Sequence, residues 1–218
     1  MVNLASRRTP TSALVLTATF ALAAACWVAA ARLMDGMDMG IATTPGTFGF
    51  FAAAWVAMTA AMMLPGAAPA IARYAGTRGT LSAATLFAVP YLAVWTFAGV
   101  VAFALDRPHG ATVAGATVIA AGCYELTPVK RHFRRRCRED VGDGLGYGLC
   151  CVGSTVGLMA MLVALDVMSL FWMALITLLA TAQKLLTPKL AIDVPLALAL
   201  IGLGILIVIA PGTVPGTS

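Results

Sequence analysis

The sequence predicts an all-α fold, a polytopic bundle of about seven transmembrane helices with its N-terminus in the cytoplasm. Three observations predict it. Of the 218 residues 61% are hydrophobic and 11% charged, with a mean hydropathy of +0.93, whereas soluble domains are about 45–50% apolar and about 25% charged. The apolar residues fall into membrane-length blocks divided by short charged breaks. Lys and Arg are distributed very unevenly over those breaks.

A helix needs about 20 residues to cross about 30 Å of hydrocarbon. On that measure the first span is 12–32, after Arg7-Arg8 and before Asp35-Gly36-Met37-Asp38. Its small residues Ala29-Ala30-Ala31 resemble a signal-peptide end. The apolar stretch is about 19 residues, longer than a signal h-region, so a retained anchor is expected. The second span, 48–72, contains Pro65 and Pro69. Pro65 cannot donate to the carbonyl of Ala61, which predicts a kink in its inner half. The third, 82–105, lies between the Arg73–Thr80 break and Asp106-Arg107-Pro108-His109. The fourth, 110–128, ends at a basic loop running from Lys130 to Asp143. The fifth and sixth, 145–165 and 168–187, meet in a tight turn at Asp166, because one helix over the whole stretch would be too long for a single crossing. The seventh, 191–210, follows Thr187-Pro188-Lys189. No remaining segment is long enough for a separate core, so residues 1–218 read as a single transmembrane domain.

Orientation follows from charge asymmetry. With the N-terminus inside, the inner segments hold Arg7, Arg8, Arg73, Arg78, Lys130, Arg131, Arg134, Arg135, Arg136, Arg138, Lys184 and Lys189. Only Arg32 and Arg107 fall outside. An even number of spans would spoil this alternation. The chain is therefore expected in a cell inner (cytoplasmic) membrane as a multi-pass protein.

Topology also sorts the sulfur residues. Met34, Met37 and Met39 crowd the first outer loop beside Asp35 and Asp38, and Met58, Met62 and Met63 follow along the second span. Cys150 and Cys151 lie near an inner helix end, and Cys137 lies in the basic loop. Thioethers bind soft Cu(I) and cannot form disulfides, which suits an oxidising exterior, while thiolates bind more strongly and survive in a reducing cytoplasm. One reading is therefore a copper path from Met outside to Cys inside. The other is that Met fills helix interfaces and Cys packs as a small hydrophobe.

The segment Lys130-Arg131-His132-Phe133-Arg134-Arg135-Arg136-Cys137-Arg138 is expected to hold the inner leaflet and attract anionic lipid, at about 1 kcal/mol per cation. No second element supports nucleic-acid binding. Glu125, near the end of the fourth span, and Gln183-Lys184, near the end of the sixth, are intramembrane polar groups and so functional suspects; a Glu125–Lys184 contact or simple snorkelling is the other reading. The spacings Gly144/Gly148 and Gly153/Gly157 present small ridges for close helix packing. There is no catalytic triad, phosphate loop, His-Glu-x-x-His or haem motif, and no enzyme is expected.

The pattern Trp55-x-x-Met58-x-x-Ala61-Met62-Met63-Leu64-Pro65 resembles the signature of the DUF2182 family, described as predicted metal-binding integral membrane proteins. Pro90-Tyr91-x-x-x-Trp95, Tyr124-x-Leu126-Thr127-Pro128-x-Lys130 and Trp172-Met173 followed by Lys184 fit the same pattern, over about residues 47–188. The resemblance implies a bacterial inner-membrane protein with a metal role, copper foremost. The chain departs from that pattern at Phe133 and at Ser154-Thr155, where the family carries cysteines, and at Gln183, where it carries Glu. A cysteine cage would thus be incomplete here, whereas the methionine set is intact.

The sequence reading is a protein that handles or delivers copper, with Met58, Met62 and Met63 as an intramembrane station, Met34, Met37 and Met39 as outer intake, and Cys150, Cys151 and Cys137 as inner exit. Its partner would be an apo-metalloprotein or a membrane complex. The alternatives are a metal-free structural or assembly subunit and a small-solute transporter.

Overall fold

The computed structural model describes residues 10–34, 47–105, 110–139, 142–165, 169–186 and 190–211. Met37, Met39, His109 and the turn at Asp166 lie outside the described residues, and of Met34 only the backbone is described, at a helix end.

All the secondary structure in the described residues is helical: α1 (Pro10–Met34), α2 (Phe48–Arg78), α3 (Ser82–Leu105), α4 (Ala111–Glu125), α5 (Pro128–Glu139), α6 (Gly144–Leu165), α7 (Leu170–Leu185) and α8 (Leu190–Ile209). Four of them, α1, α2, α3 and α6, are long and apolar enough to cross a membrane; the apolar parts of α7 and α8 are shorter.

α2 is the axis of the bundle. Its N-cap is Thr47, whose side chain accepts the Phe50 N–H, and it ends at Gly79, whose φ of 68° is the left-handed conformation that glycine adopts freely. The helix runs on through Pro65 and Pro69 to Arg78, six residues past the expected span end, so Arg73 and Arg78 lie on the helix rather than in a loop. Helices α1, α3 and α7 pack on it.

Small residues set the other contacts. A Cβ on Gly144 would overlap the Phe87 backbone, and one on Gly148 would meet Val94 at 3.0 Å, so the first ridge seats α6 on α3. The second ridge faces elsewhere: Gly153 lies under the Phe133 ring and Gly157 against Tyr124 and Ala121. α4 and α8 approach backbone to backbone, with Gly115 against the Gly204 carbonyl and Gly122 against the Ala197 carbonyl. That pairing is antiparallel, because the residue numbers rise on one helix as they fall on the other.

One expectation is corrected. The basic segment read as a loop is α5, a helix whose Lys130, Arg134 and Cys137 are buried. Pro128 takes the first helical position, where its missing N–H costs nothing. The Thr127 hydroxyl accepts the Lys130 N–H at 3.3 Å and caps the start. α5 then runs antiparallel to the first half of α6, with Phe133 over Gly153 and Cys137 against Cys150.

Candidate metal centre

On a helix of 3.6 residues per turn, successive side chains point about 100° apart. Met58 and Met62 therefore share one face of α2, and Met63 looks onto the next. All three are buried. The Met63 sulfur accepts a hydrogen bond from the Lys184 ammonium at 3.6 Å. Its carbonyl accepts one from the Tyr91 hydroxyl at 3.3 Å, and that hydroxyl also lies 3.4 Å from the Cys151 sulfur. Tyr91 thus links the methionine helix to the cysteine helix.

The three inner cysteines converge in part. Cys137, in the last turn of α5, is in hydrogen-bonding contact with Cys150, and Cys151 is close enough to influence it. Cys150 and Cys151 are neighbours on α6, so they diverge: Cys150 meets Cys137, and Cys151 turns to Tyr91. Burial pushes the Cys137 thiol well above its ordinary pKa of 9.0; Cys151 and Cys150 add to this and the Lys184 charge opposes it. Cys137 is consequently a neutral thiol at neutral pH.

The positions where the family resemblance expects cysteines have other duties. Ser154 and Thr155 both donate to the Cys151 carbonyl, at 2.9 and 2.8 Å. Phe133 covers Gly153. Among the described residues no group of three or more His, Cys, Asp or Glu is arranged to hold a metal ion. What the fold assembles instead is sparser: the Cys137–Cys150 pair with Cys151 beside it on α6, while Tyr91 ties Cys151 to the Met63 backbone carbonyl and the Met63 thioether faces Lys184. Such a set suits a soft monovalent ion of low coordination number better than Zn²⁺, which takes four ligands at a structural site.

A cavity of about 860 Å³ reaches the cysteine pair at Cys137. Its walls are helix termini from one end of the bundle, namely the starts of α1 and α6 and the ends of α5 and α7, together with the second half of α2. It exists because α7 stops at Leu185 beside Gly66 while α2 continues for twelve more residues to Arg78. Cys137, Tyr147, Lys184, Arg73 and Arg138 line it. Lys184 crosses α2 closely at Gly66, where a Cβ would lie 2.7 Å from the lysine side chain and make it shift.

Beside the sulfur set lies a buried polar network. Lys130 pairs with Glu125 and donates to the Gln183 side-chain oxygen at 3.0 Å, while the Gln183 amide donates to the other Glu125 oxygen at 2.7 Å. Arg134 pairs with Asp193 and donates to the Gln183 backbone carbonyl at 2.9 Å. The expected Glu125–Lys184 contact is therefore replaced by Glu125–Lys130 and Glu125–Gln183: Lys184 faces α2. Lys130 and Arg134 point into the bundle, and Arg135, Arg136 and Arg138 remain exposed on α5. Asp193 was not singled out from the sequence, although an acid in an apolar block is the signal that finds it. Tyr147 carried no sequence signal.

A sequence model of the family described as PpoB2: Copper chaperone matches residues 52–207. The methionine–proline motif, the three inner cysteines and the polar network all lie inside that segment. No curated protein and no solved structure gives a significant match.

Proposed function

The chain belongs to the PpoB2 copper-chaperone family, and from that premise we propose that it is a multi-pass inner-membrane carrier of Cu(I) which holds the ion on buried sulfur and hands it to an apo-metalloprotein. It moves the ion without catalysing a reaction. The observation that carries this reading is the contact of Cys150 with Cys137, which lines a cavity, with Cys151 next to Cys150 on α6.

In the topology that goes with it, α1–α4 and α6–α8 span the membrane from a cytoplasmic N-terminus, and α5 packs at the inner end. The cavity then faces the cytoplasm, where thiols stay reduced. Copper is cargo here, so a sparse site is an advantage: few ligands hold the ion firmly yet let an incoming thiol displace one. Because Cys137 is held as a neutral thiol, capturing the ion must expel its proton, and the apparent affinity rises with pH. Met58 and Met62 supply further thioethers along α2, and Met34, Met37 and Met39 the outer intake. The intact methionine–proline motif supports the DUF2182 resemblance as well.

The test is Cu(I) content after anaerobic loading of the purified protein, compared with Cys137→Ser/Cys150→Ser and with Met58→Leu/Met62→Leu/Met63→Leu. Bound copper should fall in the cysteine variant, and in the methionine variant if the ion moves along α2. Equal copper in all three proteins would sink the reading. A second reading, an assembly subunit of a membrane complex, has one observation in its favour. An apolar groove of about 680 Å³ lies on α6 between α3 and α4, lined by Trp55, Trp95, Phe97, Val113 and Met159. Purification of copper-free protein with one stoichiometric membrane partner would favour it.

A further inference from the structure

The cavity beneath α7 has an electrostatic character that its cargo does not share. Arg73, Arg138 and Lys184 line it, and no Asp or Glu is among its described lining residues. Of the described carboxylates at this end, Glu125 pairs with Lys130 and Gln183 and Asp193 with Arg134. Glu139, next to Arg138 on α5, and Asp143, which accepts the Gly146 N–H, keep their charge but do not line the cavity. Arg73 and Arg138 are exposed, while Lys184 is half-buried with its ammonium on the Met63 sulfur, so positive charge extends from the cavity mouth to the sulfur set. A free Cu(I) cation would be repelled along this route. An anion would be drawn in, and would find a thiol at the wall.

We propose that this basic cavity receives copper as an anionic complex, Cu(I) bound to the thiolate of a small carboxylate-bearing thiol, and that Arg73 and Arg138 steer that carrier to Cys137. The proposal rests on the copper reading above and deepens it by naming the small carrier with which Cys137 exchanges copper at the inner exit; the exchange is reversible, so loading from that carrier and release to it use the same cavity. The exchange is balanced and involves no redox change. A bond forms between Cu(I) and the Cys137 sulfur, the bond from Cu(I) to the carrier sulfur breaks, and the Cys137 proton leaves on the released carrier thiol. The carrier carboxylates stay with Arg73 and Arg138 during the exchange. Lys184, at the inner wall, sets the positive field next to Met63.

The full-length protein in phosphatidylcholine nanodiscs would be mixed anaerobically with either of two donors, the anionic Cu(I)–glutathione complex or the cationic Cu(I)–acetonitrile complex. The readout is the initial rate of copper acquisition. With the anionic donor the wild-type rate should fall about tenfold from low to high ionic strength, as for electrostatically steered association. Arg73→Gln/Arg138→Gln should lower the low-salt rate to a similar degree, with Arg73→Lys/Arg138→Lys restoring it. From the cationic donor the rate in the neutralised variant should not fall, which also shows that this variant is folded. Equal salt dependence for both donors, or an unchanged rate in the glutamine variant, would overturn the proposal while leaving the copper reading intact. Loss of the salt and variant effects when phosphatidylglycerol is added would assign the cations to lipid headgroups and overturn it too. No copper uptake from either donor would overturn both readings together.

Discussion

Lys130 shows how much a single side chain decides here. Its ammonium is buried, and the pairing with Glu125 is what makes that tolerable, with Gln183 bridging both groups. Removing one partner leaves the other charge uncompensated, so Lys130→Met should cost about 3–5 kcal/mol. Removing both charges together, as Lys130→Met with Glu125→Gln, should recover most of that loss. Thermal unfolding in one detergent checks this: the double variant should melt above either single one, and a strictly additive loss would show that the pair is not coupled. Glu125 was legible from sequence as an acid inside an apolar block, but its partner was not. Gln183 and Lys184 are adjacent on α7, about 100° apart, and only the rotation of α7 decides which reaches Glu125. Cys137, Cys150 and Cys151 were legible in the same limited way: as sulfurs at one end of the bundle, without the angles that pair Cys137 with Cys150.

At the scale of elements, helix existence was largely legible and helix contact was not. Hydropathy placed α3 at its observed bounds and α1, α6, α7 and α8 within two residues of theirs, because apolar block length is a property of the sequence. α5 was missed because a segment of mostly cationic residues reads as solvated unless distant partners such as Asp193 and Gln183 are known. The ridge glycines were visible through their spacing of four. Gly115 and Gly122, which carry the α4–α8 contact, are spaced by seven and went unnoticed. The contacts make a differential prediction. Gly144→Ala forces a methyl into the Phe87 backbone, which cannot rotate away, and should destabilise the protein by about 1–3 kcal/mol as overpacking does. Gly202→Ala meets no atom within 4 Å, and in a helix interior should stabilise by about 0.5–1 kcal/mol. Melting temperatures in detergent should move in opposite directions. A rise in melting temperature for Gly144→Ala would show that α3 and α6 do not approach as closely as the backbone indicates, and a fall for Gly202→Ala would show that its face of α8 is not open.

The whole molecule turns on which end of the bundle faces which side, since the cavity, Cys137, Cys150 and Cys151, and every described Lys and Arg except Arg32 sit at one end. The physical reason to expect that end inside is the charge asymmetry: Arg73, Arg78, Lys184 and the α5 cations gather there, and short loops rich in Lys and Arg stay in the cytoplasm. The cavity itself could not be foreseen, because it arises from the mismatch between a long α2 and a short α7, and no residue pattern records how two helices align in depth. Topology can be tested with single cysteines in a background where the native ones are Ser. Thr80→Cys, between α2 and α3, and Arg136→Cys, on the exposed face of α5, report the cavity end. Gly110→Cys, at the start of α4, reports the opposite end. In intact spheroplasts a membrane-impermeant maleimide should label Gly110→Cys alone, and lysis should expose the other two. Labelling of Thr80→Cys and Arg136→Cys before lysis, with Gly110→Cys protected, would reverse the orientation and place the cysteines on the oxidising side, where a thiol site for Cu(I) would be exposed to disulfide formation. Labelling of Gly110→Cys and Thr80→Cys from the same side would mean that α3 does not cross. The first outcome would leave the fold standing and remove the copper route argued here; the second would change the span count itself.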